Sequence, residues 1–345
     1  MENCLVTKLK GVVENGSLIK IGHMVFNVKE RSTSSASIRF TSVNSMQITA
    51  LDGGYFSTTE EGEHLTSMTI SAYTDTFLYF ANANFRVDIS NKYDLLVFEC
   101  NATNAFEVNL SDMAYCNRLQ VLGLTYCNVN GDIEDIKNLS SLVQLKAAYS
   151  NIKGDIANLV GLTNLTLINL IGNSSIFGDI NSLASINSLQ TVYLEDTKVS
   201  GELSSILNIT GLTEINVAGT DINVNIAAIS GMSSIQVLSL GNTATSGSLS
   251  SIVNVPTLRS LGLNITNVTG SISDISTLTE LTELKVGSTS VNGTIESYAQ
   301  GLINNGKTSG SVRVQMNESG VTYQGNSYTF CTITINGSSY TVVTA

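Results

Sequence analysis

From residue 119 to residue 296 the apolar side chains follow one repeating arrangement, in which an apolar residue is followed by a second three positions on and a third two positions later. Leu119, Leu122 and Leu124 set the arrangement, Leu142, Leu145 and Ala147 repeat it, and Leu281, Leu284 and Val286 open the eighth copy. The last two members of each trio alternate with an intervening residue, the two-residue period of a strand that turns one face into a core. The spacing then changes. Ile133, Ile136, Leu139 and Leu142 recur every third residue, as do Leu249, Ile252, Val255 and Leu258, and three per turn is the period of a 3₁₀ helix. A glycine divides the halves: Gly131, Gly154, Gly178, Gly201, Gly247, Gly270 and Gly293 recur at steps of 23 residues with one step of 24, and Val224 holds the slot between Gly201 and Gly247.

This period predicts a repeat solenoid in which each unit makes one turn of chain and sets its strand beside the previous one. About eight parallel strands at ~4.8 Å give a sheet roughly 40 Å long on the concave face, with a short 3₁₀ or irregular convex side. Ahead of each glycine slot stands a small residue: Cys127, Ser150, Asn173, Thr197, Thr220, Thr243, Thr266 or Thr289. Stacked inward in every coil, these side chains are expected to satisfy loop backbone groups that the sheet leaves unpaired.

The consensus L-x-x-L-x-L-x-x-T-x-V-x-G-x-I resembles the leucine-rich-repeat family, in particular the subclass with a short second strand after the main one. The resemblance covers residues 110 to 296 and implies a solenoid that binds partners on its concave face. The plant members of that subclass carry a proline after the isoleucine and this chain does not, so their ligands are not carried over.

Stacked coils expose apolar ends that need caps. Leu110, Met113, Cys116 and Leu119 keep the three-residue spacing, and Leu95, Phe98 and Cys100 read as a worn strand. The expected organisation is a β-rich attachment segment over 1–60, degenerate repeats or an N-terminal cap over 61–110, the array over 111–296 and a C-terminal cap over 297–345. Within the first segment, Met24 to Val28 and Ile38 to Phe40 read as strands and Asp52-Gly53-Gly54 as a turn. At the other end a helix is expected from Ser297 to Asn305, stopped by Gly306. Strands should follow over Ser311 to Met316, Phe330 to Ile335 and Tyr340 to Val343, with a hairpin turn at Asn336-Gly337.

Composition narrows the function. A net charge of −11, from 28 acidic and 17 basic residues, argues against a nucleic-acid partner, which is bound through clustered Lys and Arg. No apolar run reaches the roughly 20 residues of a membrane span, and residues 1 to 6 show no export signal. The five cysteines are scattered, with no C-x-x-C pair, and read as free thiols. The opening residues Met1-Glu2-Asn3-Cys4-Leu5-Val6-Thr7-Lys8-Leu9-Lys10-Gly11-Val12 are similar to the starts of proteins encoded by crAss-like tailed phages of gut bacteria. That resemblance implies a virion fibre or decoration protein, attached to other virion proteins by its N-terminal segment and displaying the repeats to a host surface glycan or protein. A bacterial surface adhesin of the same fold is the alternative, and repeated copies in a homo-oligomer would add avidity.

Candidate chemistry is sparse. His23 and His64 lie outside the repeats and in no ligand-spaced motif, and the glycines form no nucleotide-binding sequence. Asp132, Asp155 and Asp179, extended by Glu202, should stack in a column; calcium binding is one reading, a solvated acidic edge the other. No catalytic residue, metal or cofactor is expected. The outward strand positions form the concave face, where the later coils offer mainly Ser239, Gly241, Gly262, Asn264, Glu283, Lys285 and Gly287. The candidate binding patch lies on the first four coils, Tyr126, Gln144, Lys146, Tyr149, Asn169, Tyr193, Glu195 and Asp196, with tyrosines supplying contact area and a polar tip. Exposed tyrosines that simply favour β structure are the competing account of the same residues.

Overall fold

The computed structural model describes residues 24–28, 36–59, 62–80, 85–101 and 106–345. Cys4, His23 and the phage-like opening lie outside the described residues. A sheet of 14 strands runs the length of the molecule. Its middle is the expected array: three-residue strands from Val121–Gly123 to Glu283–Lys285, all parallel and in register. In that register Leu122, Leu145, Ile168 and Val192 lie side by side, and each is fully buried. Withdrawing one such side chain from water is worth about 1.5–3 kcal/mol, so a slip of one residue, which would turn the column to solvent, is strongly disfavoured. The convex side is built from short 3₁₀ turns such as Ile133–Ile136, Ile156–Leu159 and Ile272–Ile275, as the three-residue spacing predicts.

The column of small polar residues does what its position demands. Thr197, Thr220, Thr243, Thr266 and Thr289 each donate Oγ1–H to the carbonyl three residues back, at 2.5–2.7 Å. Asn173 links two coils: its Nδ2 donates to the carbonyls of Ala147 and Leu170 at 2.7 and 2.8 Å, and its Oδ1 accepts from the Ser150 N–H at 3.0 Å. Left unpaired in this interior, each such group would cost about 1–3 kcal/mol.

Asp132, Asp155 and Asp179 also have a structural task. Each caps the 3₁₀ turn that follows it, accepting from the N–H two residues on at 2.9 Å. Asn225, Ser248 and Ser271 do the same in later coils. The glycine slot of the next coil lies directly over this cap. A Cβ on Gly178 would collide with Asp155 Oδ1, and one on Gly201 with Asp179 Oδ1. Both glycines also have φ above +100°, where only glycine is at ease. The exception fits the rule: Val224, with no left-handed φ, follows Glu202, whose side chain makes no cap.

At the N-terminal end, where degenerate coils or a cap are expected from residue 61, the strand pairing has cap strands up to Ile89 and a coil-like strand from Leu95. Strands β1 (Met24–Val28), β2 (Ala36–Ser42), β3 (Met46–Ala50), β4 (Ser67–Ile70), β5 (Thr76–Phe80) and β6 (Phe85–Ile89) form an antiparallel cap. Apart from β3 and β4, the pairs join strands that are not consecutive in the chain. Strand β7 (Leu95–Asn101) then pairs parallel with Val121–Gly123 and antiparallel with β2, while β8 (Phe106–Asn109) pairs parallel with Asn128–Asn130 and antiparallel with β1. Residues 95–113, ending in the 3₁₀ turn Leu110–Met113, are thus the worn coil, and both of its strands hand the cap's sheets to the array. Phe40 meets Phe98 edge-on at 5.4 Å, and Phe80 meets Phe106 at 5.3 Å. One hydrophobic cluster runs unbroken from Met24 to Ile335, so cap and array share a core. The turn at Asp52-Gly53 is present, with both residues at positive φ and Gly54 N–H bonded to the Leu51 carbonyl.

The C-terminal cap follows the expected order. Helix α1 (Ile295–Asn304) is capped by Thr294 and ends before Gly306, which has φ +95°. Strand Ser309–Gln315 continues the parallel sheet, and Phe330–Asn336 and Ser339–Thr344 close it as an antiparallel hairpin. The two-residue loop is Gly337-Ser338, one position beyond the expected turn, with Gly337 at φ +63°, since a glycine first in the loop suits a II′ hairpin.

Candidate functional site

Two outward columns cross the concave face. One holds Gln144, Leu167, Thr191, Glu214, Val237, Ser260 and Glu283; the other holds Lys146, Asn169, Tyr193, Asn216, Ser239, Gly262 and Lys285. Gln144, Lys146, Asn169 and Tyr193 are therefore on the face, as their alternation with buried residues predicts.

Tyr126 and Tyr149 are not on the strands. They occupy the turn that ends each strand, with φ +60° and +51°, because alternation stops where the chain bends toward the convex side. That left-handed turn places them on the rim, about half exposed, with rings parallel at 5.2 Å and 4°. Tyr149 in turn lies flat over Gly172, where any Cβ would strike its ring. Glu195 and Asp196 are rim residues as well. Glu195 accepts from Asn216 Nδ2 at 2.7 Å, and Asp196, at φ +55°, covers Gly219 as Tyr149 covers Gly172. The eight candidates thus divide between face and rim.

Several of them are already engaged. Lys146 Nζ reaches back over Gly123 to Glu99 at 2.9 Å, Glu99 accepts from Arg39 at 3.3 Å, and Arg39 bonds Asp75 at 2.8 Å. The Thr41 hydroxyl and then Arg39 hold the Asp75 carboxyl below its ordinary value. These partly exposed pairs contribute at most about 1 kcal/mol each, but they draw Lys146 toward the cap. Asn169 Oδ1 accepts from the Ile171 N–H at 3.3 Å, and Tyr193 donates its hydroxyl to Glu214.

The concavity itself lies further along. Ile171, Tyr193, Asn216, Val237, Ser239, Ser260, Gly262, Glu283 and Lys285 line an open depression of about 320 Å³. Tyr193 and Asn216 wall one end. Glu283 and Lys285, 3.5 Å apart, wall the other, with Ser260 Oγ donating to Glu283 at 3.1 Å. The floor is low because Ser239 and Gly262 sit where other coils carry Lys146, Asn169 or Tyr193. Of its lining only Tyr193 belongs to the eight candidates; the signal for the rest is the run of small outward residues between two large ones. An aromatic ring, an amide, hydroxyls and an ion pair in one groove can hydrogen-bond a polar ligand while stacking on part of it.

Among the described residues no group of three or more His, Cys, Asp and Glu is placed to hold a metal ion. The Asp132, Asp155 and Asp179 carboxylates each use Oδ1 to cap the 3₁₀ turn that follows. His64 stacks on Tyr55 at 3.8 Å. Cys100, Cys116, Cys127 and Cys331 are buried free thiols. No helix among the described residues is long and apolar enough to cross a membrane.

No protein-family model matches the chain, and no curated protein matches it. Solved structures do. A plant peptide hormone receptor, RGFR1 in complex with RGF2, superposes with a TM-score of 0.50 at 19% identity over 63% of this chain, which spans 38% of the receptor's length. An internalin from Listeria monocytogenes matches with a TM-score of 0.40 at 15% identity, over 61% of this chain and 72% of its own. A plant ice-binding protein gives 0.44 at 18% identity, over 58% and 74%. At 19% identity the likeness to the receptor is one of fold, and it agrees with the strand register, the 3₁₀ turns and the buried leucine columns: the chain has the leucine-rich-repeat solenoid fold.

Proposed function

We propose that this chain is a non-enzymatic binding protein of a phage virion, which engages a host surface glycan or protein through the concave depression between Tyr193 and Lys285. The depression carries the reading: a rigid sheet holds an aromatic ring, an amide, hydroxyls and an ion pair around a floor of small residues. A receptor of the same fold is a peptide hormone receptor, which supports ligand recognition as a use of such a scaffold. The phage-like opening supports the virion setting, with the N-terminal end toward other virion proteins. Purified particles of the encoding phage, analysed by mass spectrometry and labelled with antibody to the repeats, test it. Detection of the exposed chain on intact particles is expected. Its reproducible absence, with other structural proteins detected, would overturn the virion setting and favour a cellular adhesin.

A further inference from the structure

The two ends of the long sheet are finished differently. At the N-terminal end the last strand, β5, is covered, because Ser57 and Tyr79 exchange both backbone hydrogen bonds at 2.9 Å. At the other end the last strand is Ser339–Thr344, and among the described residues nothing pairs with its outer side. Phe330 and Ala345 exchange both backbone bonds at 2.9 Å, and the antiparallel ladder alternates from there. Ser339, Thr341 and Val343 therefore bond inward, while the N–H and C=O groups of Tyr340, Val342 and Thr344 point out of the sheet.

A row of free donors and acceptors is a template for another strand, and exposed edges are commonly guarded by lysine, proline, a bulge or a covering loop. None of these guards is present on this strand. From Ser319 to Ala345 the sequence holds no Asp, Glu, Lys or Arg, in a chain of net charge −11. The strand itself, Ser-Tyr-Thr-Val-Val-Thr, is rich in β-branched and aromatic residues, and its register with Phe330–Asn336 shows no irregularity.

We propose that two copies of the chain join edge to edge here, antiparallel, across a two-fold axis at Val342. In that register Val342 faces Val342 of the second copy and Tyr340 faces Thr344, so every outward backbone group of the three residues finds a partner. The occupant is a second copy because this pairing is self-complementary, as two-fold symmetry requires, and because the pairing strand and its hairpin partner carry no charged side chain of their own to repel a second acidic molecule. The result is one sheet running through both molecules, with a concave face on each, an arrangement that presents two binding faces together. The proposal does not depend on the ligand or on the virion setting.

Sedimentation analysis of the full chain tests it together with two variants. The wild type is expected at twice 36.7 kDa. Val342→Pro removes an outward N–H without touching a bond to Phe330–Asn336, and proline is tolerated on an edge; it should sediment as a monomer with unchanged circular dichroism. Val342→Cys should form, under oxidation, a link between the two copies at that position, since facing residues of a hydrogen-bonded pair are about 5.5 Å apart at Cα, within disulfide reach. Peptide mapping identifies the link. A monomeric wild type, or a dimer that survives Val342→Pro and forms no link at position 342, would overturn the proposal.

Discussion

Replacing Gly178 by alanine probes how one coil fixes the next. Gly178 has φ +118° and sits over the Asp155 carboxylate that caps the preceding 3₁₀ turn. An L-residue held in so sparsely populated a conformation costs about 1–3 kcal/mol. The new methyl group also displaces Asp155 Oδ1 from the Ala157 N–H, and losing such a cap costs about 1 kcal/mol. Gly178→Ala should therefore destabilise the chain by about 2–4 kcal/mol. Asp155→Ala alone loses only the cap, about 1 kcal/mol. The double variant loses the cap once, so it should be about 1 kcal/mol more stable than the sum of the single effects. Urea unfolding followed by circular dichroism measures all three, with the slope m checking that the unfolded state is unchanged. Additive single effects, or a Gly178→Ala cost below about 0.5 kcal/mol, well short of the expected strain, would refute the stacking of glycine on cap.

Two further substitutions test the interior. Tyr298 on α1 is fully buried and its hydroxyl has no partner among the described residues; burial pushes its pKa up. Tyr298→Phe should stabilise the chain by about 1–3 kcal/mol, read as a raised thermal midpoint, and a lowered midpoint would show that the hydroxyl is bonded. Burial lifts the Cys116 thiol from 9.0 to about 11, with Lys92 opposing and Asp112 adding to the rise. A raised folded pKa favours the neutral thiol, so its contribution is complete below pH 9.0 and is lost between pH 9.0 and about 11. Across that window the wild type should lose about 2–3 kcal/mol more stability than Cys116→Ala; parallel pH profiles would contradict the shift.

The array was legible because its two periods are imposed by geometry. Leu122 and Leu124 must alternate to enter the core, and Ile133, Ile136 and Leu139 must recur by threes to stay there. The cap was harder to read. Met68, Leu78 and Val87 alternate with other residues much as coil strands do, and the antiparallel pairing of β1 with β6 and of β2 with β5, strands far apart in the chain, is not written in that alternation. The site divides along the same line. Tyr193, beside buried Val192, was correctly placed on the face by alternation. Tyr126 and Tyr149 lie past the last strand position, in left-handed turns that alternation does not describe. The depression is made by what Ser239 and Gly262 lack, and a missing side chain leaves little trace in a pattern of apolar positions. The Asp132, Asp155 and Asp179 column was visible, but its meaning depends on the glycine of the following coil.

Binding of the labelled chain to cells of the host that the proposed virion setting implies tests the proposed recognition most directly. Wild-type protein should bind saturably. Ser239→Trp, which fills the depression from an outward position, should weaken binding at least tenfold, a loss of about 1.4 kcal/mol or more. Phe177→Ala, on an exposed strand away from the concave face, should bind as the wild type does. Undiminished binding by a folded Ser239→Trp protein would contradict recognition through the concave face.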